Sequence, residues 1–219
     1  MSRYCSFSFV VLIAASLLGV PGCAGIAWFV AQFAPPQKTK ALYTIPRGTK
    51  VLVFADDPAG ALQDVSIKAE LTKRLNEQIG ANKIADKTIP YQKLLDVVTS
   101  TPKFDLLSVS EIGKLCGADV ILYVQIDRFQ LKDDRASPLW QGKFETTVKV
   151  VDVEAGRLWP KDRPDGHPIA PVETPISAET TPSYRLKLTR QLADLMADRI
   201  AKCFYEYEMP RDPEWSWQQ

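Results

Sequence analysis

Two short runs constrain this chain more than anything else in it: "TKVLVFA" (Thr49 to Ala55) and "VILYVQI" (Val120 to Ile126). Both are rich in β-branched and aliphatic residues, and neither alternates between apolar and polar positions. A strand that is apolar on both sides must be covered on both faces, so these runs predict interior strands of a layered α/β sheet. The segments between them have helical spacing. After the loop "DDPAGALQ", Asp64 is placed to cap a helix whose Ile67, Leu71, Leu75 and Ile79 form one stripe, with Gly80 at its left-handed end. A weaker strand follows in "KIADKTIP". Pro90 then opens a short helix through Leu94, Leu95 and Val98, and Pro102 marks a loop. Ser108 and Glu111 stand three apart as in a capping box, Val109, Ile112, Leu115 and Cys116 supply an apolar face, and Gly117 ends the helix just ahead of the second buried run.

Beyond Asp127 the pattern changes. Phe144 to Val153 alternates as an amphipathic strand, and Glu154-Ala155-Gly156 turns it into an antiparallel return strand. Six prolines between Pro160 and Pro182 predict an extended and mobile surface loop there, with Pro138 in a similar stretch upstream. A long helix starts near Ser183, with Leu188, Leu192, Leu195, Met196, Ile200, Cys203 and Phe204 in one broad stripe. The expected fold is therefore a single α/β domain over residues 49–208, with a mixed sheet of parallel core strands plus an antiparallel hairpin, packed by helices. About 180 residues after residue 40 are enough for one such core and hardly two.

Ahead of that domain the chain runs without a charged residue from Tyr4 to Gln37, well beyond the roughly 20 residues a membrane helix needs. Pro21 and Gly22 divide the run. The block before them, after Arg3, has the form of a signal peptide. Val20-Pro21-Gly22-Cys23 resembles the lipobox of bacterial lipoproteins, which implies removal of residues 1–22 and an acyl anchor on Cys23. Residues 23–48 then form a membrane-proximal segment and linker. Within it Ile26, Phe29, Val30 and Phe33 beside Trp28 suit a short helix lying among lipid headgroups, stopped by Pro35-Pro36. The alternative is one uncleaved transmembrane anchor. Lys38, Lys40 and Arg47 after the run would pull such an anchor toward a cytoplasmic domain, a conflict that cleavage removes.

The pairing of "KVLVFA" with "EIGKLCGADVILYVQI" resembles the envelope lipoprotein group that includes CsgG, LpoB and the amino-terminal domain of TolB. That group shows a first buried strand and then a helix ending in a Leu-Gly-Ala-Asp-like phrase that runs into a second; here the phrase is Leu115-Cys116-Gly117-Ala118-Asp119. The resemblance covers residues 49 to 205. It implies a periplasmic domain that binds other envelope proteins, and it transfers no active site. The membrane-spanning insertion of a secretion pore has no recognisable counterpart in this sequence.

Composition narrows the chemistry further. With 27 basic and 26 acidic residues interspersed along the chain, there is no field to draw nucleic acid. His167 is the one histidine and lies in the Pro-rich segment near Asp162 and Asp165. No G-x-S-x-G, Cys-x-x-Cys, G-x-G-x-x-G or Walker phosphate loop accompanies it. The expectation is a non-enzymatic accessory or adaptor, with no cofactor and no metal. The competing reading is a small-ligand or metal binder, or an enzyme, that uses Asp56 and Asp57, which sit at the carboxyl end of the first strand where α/β sheets take ligands; an Asp-Pro turn explains the same residues. Cys116 and Cys203 fall on apolar helix faces and are expected as core thiols, a disulfide between them being the alternative in an oxidising compartment. Residues 209–219 form an aromatic tail whose Trp215 and Trp217 are partner-binding candidates, the other reading being that they fold back onto their own domain.

Overall fold

The computed structural model describes residues 38–60, 62, 66–132, 139–179 and 181–208. The chain divides into two compact units, and residues 39–207, with the whole α/β sheet and its helices, belong to the larger. Cys23, Asp64, Trp215, Trp217 and the 24–34 segment lie outside the described residues.

The first apolar run forms β1 (Lys50–Asp56). It is followed by α1 (Ser66–Ala81), the two-residue β2 (Lys87–Thr88), α2 (Tyr91–Ser100) and α3 (Val109–Cys116). The second run forms β3 (Val120–Gln130), and β4 (Lys143–Asp152) and β5 (Gly156–Trp159) make the hairpin. Two short strands, β6 (His167–Pro168) and β7 (Val172–Glu173), precede α4 (Pro182–Lys202). The sheet order is β2-β1-β3-β4-β5, with β6 and β7 also pairing β4. β1 is parallel to β2 and β3, with Val51 opposite Val120 and Asp56 opposite Gln125, whereas β3 and β4 are antiparallel. The mixed sheet with an antiparallel hairpin is the architecture the sequence predicts.

Connectivity explains why both faces of β1 and β3 are apolar. The chain crosses from β1 to β2 through α1, then returns past β1 to β3 through α2 and α3. Right-handed crossovers that travel in opposite directions along a sheet lie on opposite faces. Val51, Val53, Val120, Leu122 and Val124 accordingly share one core with Ile67, Leu71, Leu75 and Ile79 of α1 and Leu188, Leu192, Met196 and Ile200 of α4. Leu52, Phe54, Ile121 and Tyr123 point the other way, into a second core with Leu94 and Val97 of α2 and Ile112 and Cys116 of α3. Gly113 lets α3 lie close on this second face, because a Cβ there would stand 2.5 Å from Ile121 Cδ1 and 2.7 Å from Val153 Cγ2.

The capping box at α3 is formed: the Ser108 hydroxyl accepts from the Glu111 N–H, and Glu111 accepts from the Ser108 N–H at 2.7 Å. Gly117 closes the helix at φ 73°, in the left-handed region that favours glycine. Asp119, the last residue of the Gly-Ala-Asp phrase, binds β1 to β3. Its carboxylate accepts from the Lys50 N–H at 2.8 Å, and its own N–H donates to the Lys50 carbonyl at 2.9 Å.

Several expectations are corrected. α1 runs through Gly80 to Ala81, and the left-handed residue after it is Lys83 (φ 52°). On α2 the buried pair is Leu94 and Val97, while Leu95, Val98, Leu115 of α3 and Leu195 of α4 are exposed. α4 stops at Lys202, with Cys203 as its cap. The Pro-rich segment is not a bare surface loop. Pro168 and His167 pair with Thr147 and Val148, Glu173 and Val172 pair with Lys143 and Phe144, and Ile169 and Val172 are buried. Proline donates no N–H, so such a segment is confined to edge positions, where the donors come from its other residues: Ile169 N–H donates to Thr146 and Thr174 N–H to Gly142. Arg199 of α4 donates to the Ala170 and Pro171 carbonyls and holds it from the other side.

Candidate functional site

α2 and α3 cover only one end of the second face. Along β3 the inward residues change from Ile121 and Tyr123, which are buried, to Gln125, which is half-buried, and Asp127, which is exposed. A register shift between Ile126 and Arg128 leaves Asp127 outside the ladder. On β4 the residues opposite are Lys149 and Thr147. The result is a polar, half-open patch at the carboxyl end of β1 and β3.

Its side chains hold one another. The Asp127 carboxylate accepts from Gln125 Nε2 at 2.9 Å and from the Thr147 hydroxyl at 2.7 Å. Asp56, at the end of β1, accepts from the Tyr123 hydroxyl at 2.9 Å and from the Asp57 N–H at 2.8 Å, with Lys68 Nζ 3.9 Å away. Asp57 accepts from the Leu62 N–H through its carboxylate at 2.9 Å and from the Gly60 N–H through its carbonyl at 3.1 Å. Both candidate carboxylates are thus engaged with their own chain: Asp57 shapes the loop after β1, and Asp56 ties that strand end to β3.

Behind the patch stands an aromatic row. Phe54 lies 6.4 Å edge-on from Phe104 and 5.8 Å from Tyr123, and Lys149 Nζ sits 5.9 Å from the Tyr123 ring centre. Burial, and then the Asp56 charge and hydrogen bond, push the Tyr123 phenol far above its ordinary range. Tyr123 is therefore a fixed donor to Asp56 and does not serve as a base near neutral pH. Among the described residues no group of three His, Cys, Asp or Glu is arranged to hold a metal ion.

The other sequence candidates lie elsewhere. His167 is 4.9 Å from the Trp159 ring, in a row that continues from Trp159 to Phe204 at 5.7 Å and to Tyr43 at 6.1 Å. Burial, helped by Arg163 and opposed by Asp162, holds the imidazole below its ordinary pKa. Cys116 and Cys203 are both free and buried, and they occupy the two cores on opposite sides of the sheet. The sheet itself prevents their pairing, and burial raises both thiols, Cys203 to about 11. Tyr123, Lys68, Gln125, Asp127, Thr147 and Lys149 were not singled out by the sequence. The signal was there in the period-two placing of Tyr123, Gln125 and Asp127, hidden by the aliphatic residues between them.

The remaining feature is a corner where the two ends of the domain meet. The N–H groups of Leu42 and Tyr43 donate to the Cys203 carbonyl at 2.8 and 3.1 Å, and Ile45 is 2 % exposed within the core that holds Cys203 and Phe204. Packing therefore extends ahead of Thr49. No helix among the described residues is long and apolar enough to cross a membrane.

No family model matches the chain, and no curated protein matches it. Solved structures similar to it include a lipoprotein of Neisseria meningitidis, at 12 % identity and TM-score 0.40 over 68 % of this chain and 98 % of that one. The PelC dodecamer of Paraburkholderia phytofirmans is similar at 12 % identity and TM-score 0.40, over 78 % and 97 %. A putative lipoprotein of Caulobacter crescentus is similar at 10 % identity and TM-score 0.36, over 69 % and 84 %.

Proposed function

We propose that this protein is a bacterial envelope lipoprotein, tethered by an acyl group on Cys23, whose α/β domain works in the periplasm as a non-enzymatic adaptor for other envelope proteins. The observation that carries the reading is the sequence Val20-Pro21-Gly22-Cys23, closing an uncharged apolar block that begins just after Arg3. It is supported by the engagement of Asp56 and Asp57 with their own backbone and with Tyr123, which gives both carboxylates a role within the fold. The half-open patch of Gln125, Asp127, Thr147 and Lys149 offers donors and acceptors to a protein surface. A partner meeting it would exchange one set of polar contacts for another, as at the polar rim of ordinary interfaces.

The decisive measurement is the mass of the mature protein recovered from bacterial membranes. A chain that lacks residues 1–22 and carries acyl groups on Cys23, both lost in Cys23→Ser, supports the anchor. A wild-type chain still beginning at Met1 or Ser2 overturns it. For the adaptor role, a photocrosslinker in place of Lys149 should capture a discrete envelope protein in cells. Turnover or a bound metal that disappears in Asp56→Ala would favour the enzyme or ligand reading instead.

A further inference from the structure

The side of α4 turned away from the sheet forms an exposed strip. Leu186, Lys187, Arg190, Gln191, Asp194 and Leu195 line one shallow groove there, together with Arg74 of α1. Leu186 is 56 % exposed and Leu195 40 %, so two leucines stand in water on a helix whose other side is core. The charges of the strip are unequally engaged. Asp194 pairs with Arg74 Nε at 3.0 Å, and Arg74 is held in turn by Glu70 at 3.0 Å and Glu77 at 3.3 Å. Lys187 and Arg190 make no ion pair among the described residues.

The order of these residues is self-complementary. Outward from the midpoint between Arg190 and Gln191, the strip ends in a leucine on both sides, Leu186 and Leu195, and carries opposite charges one step inside them, Lys187 and Asp194. A copy turned end over end about that midpoint sets leucine level with leucine and acid level with base. This is the requirement of an isologous interface, in which one surface meets itself across a two-fold axis. At about 3.6 residues per turn and about 1.5 Å per residue, Lys187 and Asp194 point within about 20° of each other and stand about 10 Å apart along the helix. Both Lys187–Asp194 contacts of an antiparallel pair therefore form together, one on each side of the axis. Leu186 and Leu195 lie on opposite margins, since nine residues make two and a half turns, so the four leucines of a pair bracket the charges from the rim. The two Arg190 groups approach one another near the axis, which limits the strength of the pair.

We propose that the exposed strip of α4 is a docking surface for a second copy of this chain, with the two helices antiparallel across a two-fold axis between Arg190 and Gln191. A single helix pair of this length covers less than the roughly 1,200 Å² that stable interfaces bury in total, so the dimer is reversible and fills where copies are concentrated. Because α4 ends at the corner, the axis places the two Cys203 corners about 38 Å apart along the pair. Symmetry gives both corners the same height along the axis. One membrane can thus hold both chains by the same end, and the polar patch at the ends of β1 and β3 is presented twice. The dimer stands independently of the adaptor reading.

The test uses the full chain in density-matched detergent micelles, with sedimentation equilibrium reading its mass. Wild type should approach the mass of two chains as the protein-to-detergent ratio rises. Lys187→Asp alone and Asp194→Lys alone should each stay at one chain, because every contact across the axis then sets like charges together. An equimolar mixture of the two variants should recover the dimer, because each contact across the axis is again acid against base. In wild type, isotopically light and heavy chains mixed and treated with a carbodiimide, which joins lysine to a carboxylate in direct contact, should yield a Lys187–Asp194 link between one light and one heavy peptide. A wild type that keeps the mass of one chain overturns the proposal, as does a dimer indifferent to both substitutions or a variant mixture no heavier than its components. The isotope-mixed link judges it without any variant: links between copies that join other positions and never 187 to 194 also overturn it.

Discussion

The two faces of the sheet are made by the same strands and finished differently. On one face, the long helices α1 and α4 cover the strands from Val51 to Ala55 and from Val120 to Ile126, and every inward residue in those spans is apolar. On the other, the short helices α2 and α3 cover Leu52, Phe54, Ile121 and Tyr123 and then stop, so Gln125, Asp127, Thr147 and Lys149 remain open to water. Helix length on each side sets the amount of apolar cover. The first face is packed along its length, and the second divides its length between a core of its own and an open polar surface.

The sharpest way to break this contrast is to place a charge in the first face and remove one from the second. Leu192 is fully buried in the first core, and Leu192→Asp should cost several kcal/mol, on the order of 4, because it leaves an unpaired charge out of water. Lys149→Gln on the open half of the second face should shift stability by about 0.5 kcal/mol or less. Denaturant unfolding of the two variants reads both. Similar losses in the two would mean that the second face is as structural as the first.

A finer probe sits at the boundary between the covered and open halves. Tyr123→Phe removes the donor to Asp56 and leaves the ring in place, so it should cost about 1 kcal/mol. An unchanged melting temperature would mean that Asp56 does not depend on that bond.

The smallest effect belongs to His167, beside the aromatic row at the corner. Its folded pKa is depressed by burial and by Arg163, so between the folded and unfolded values the unfolded chain binds more protons. Wild type should therefore lose stability as pH falls through about 6.5 toward the folded value, and His167→Gln should lack that slope. Thermal melts from about pH 8 to about pH 5 compare them. A wild type gaining stability relative to the variant at the acid end would reverse the assigned burial.

The residues that announced themselves in the sequence are those with a local cause. The capping box at Ser108 and Glu111, the left-handed Gly117 and the two aliphatic runs each rest on neighbours within a few positions, and each stands where the pattern puts it. Which side of a helix meets the sheet is a long-range matter. A broad apolar stripe admits more than one facing, and Leu95, Val98, Leu115 and Leu195 turn outward. Three further buried positions on α4, Ala193, Ala197 and Ala201, recur every four residues but carry too little apolar mass to stand out in a pattern. The Pro-rich segment misled for a related reason. Its prolines advertise a loop, while its attachment depends on single residues, Ile169 and Val172, whose partners on β4 lie some twenty to thirty positions upstream. The polar patch was hardest to read, since it is defined by where α2 and α3 end and no residue within it says so.

The hydrogen bonds from Leu42 and Tyr43 to the Cys203 carbonyl also decide how the molecule bears load. A pull between the segment ahead of the domain and the segment behind it closes its mechanical circuit through that clasp, within a few residues of either end. While those bonds hold, the registers of β1, β3 and β4 lie outside that path. Once the clasp opens, the load passes next to Ile45 and Phe204, and so to the core they share with β1 and β3.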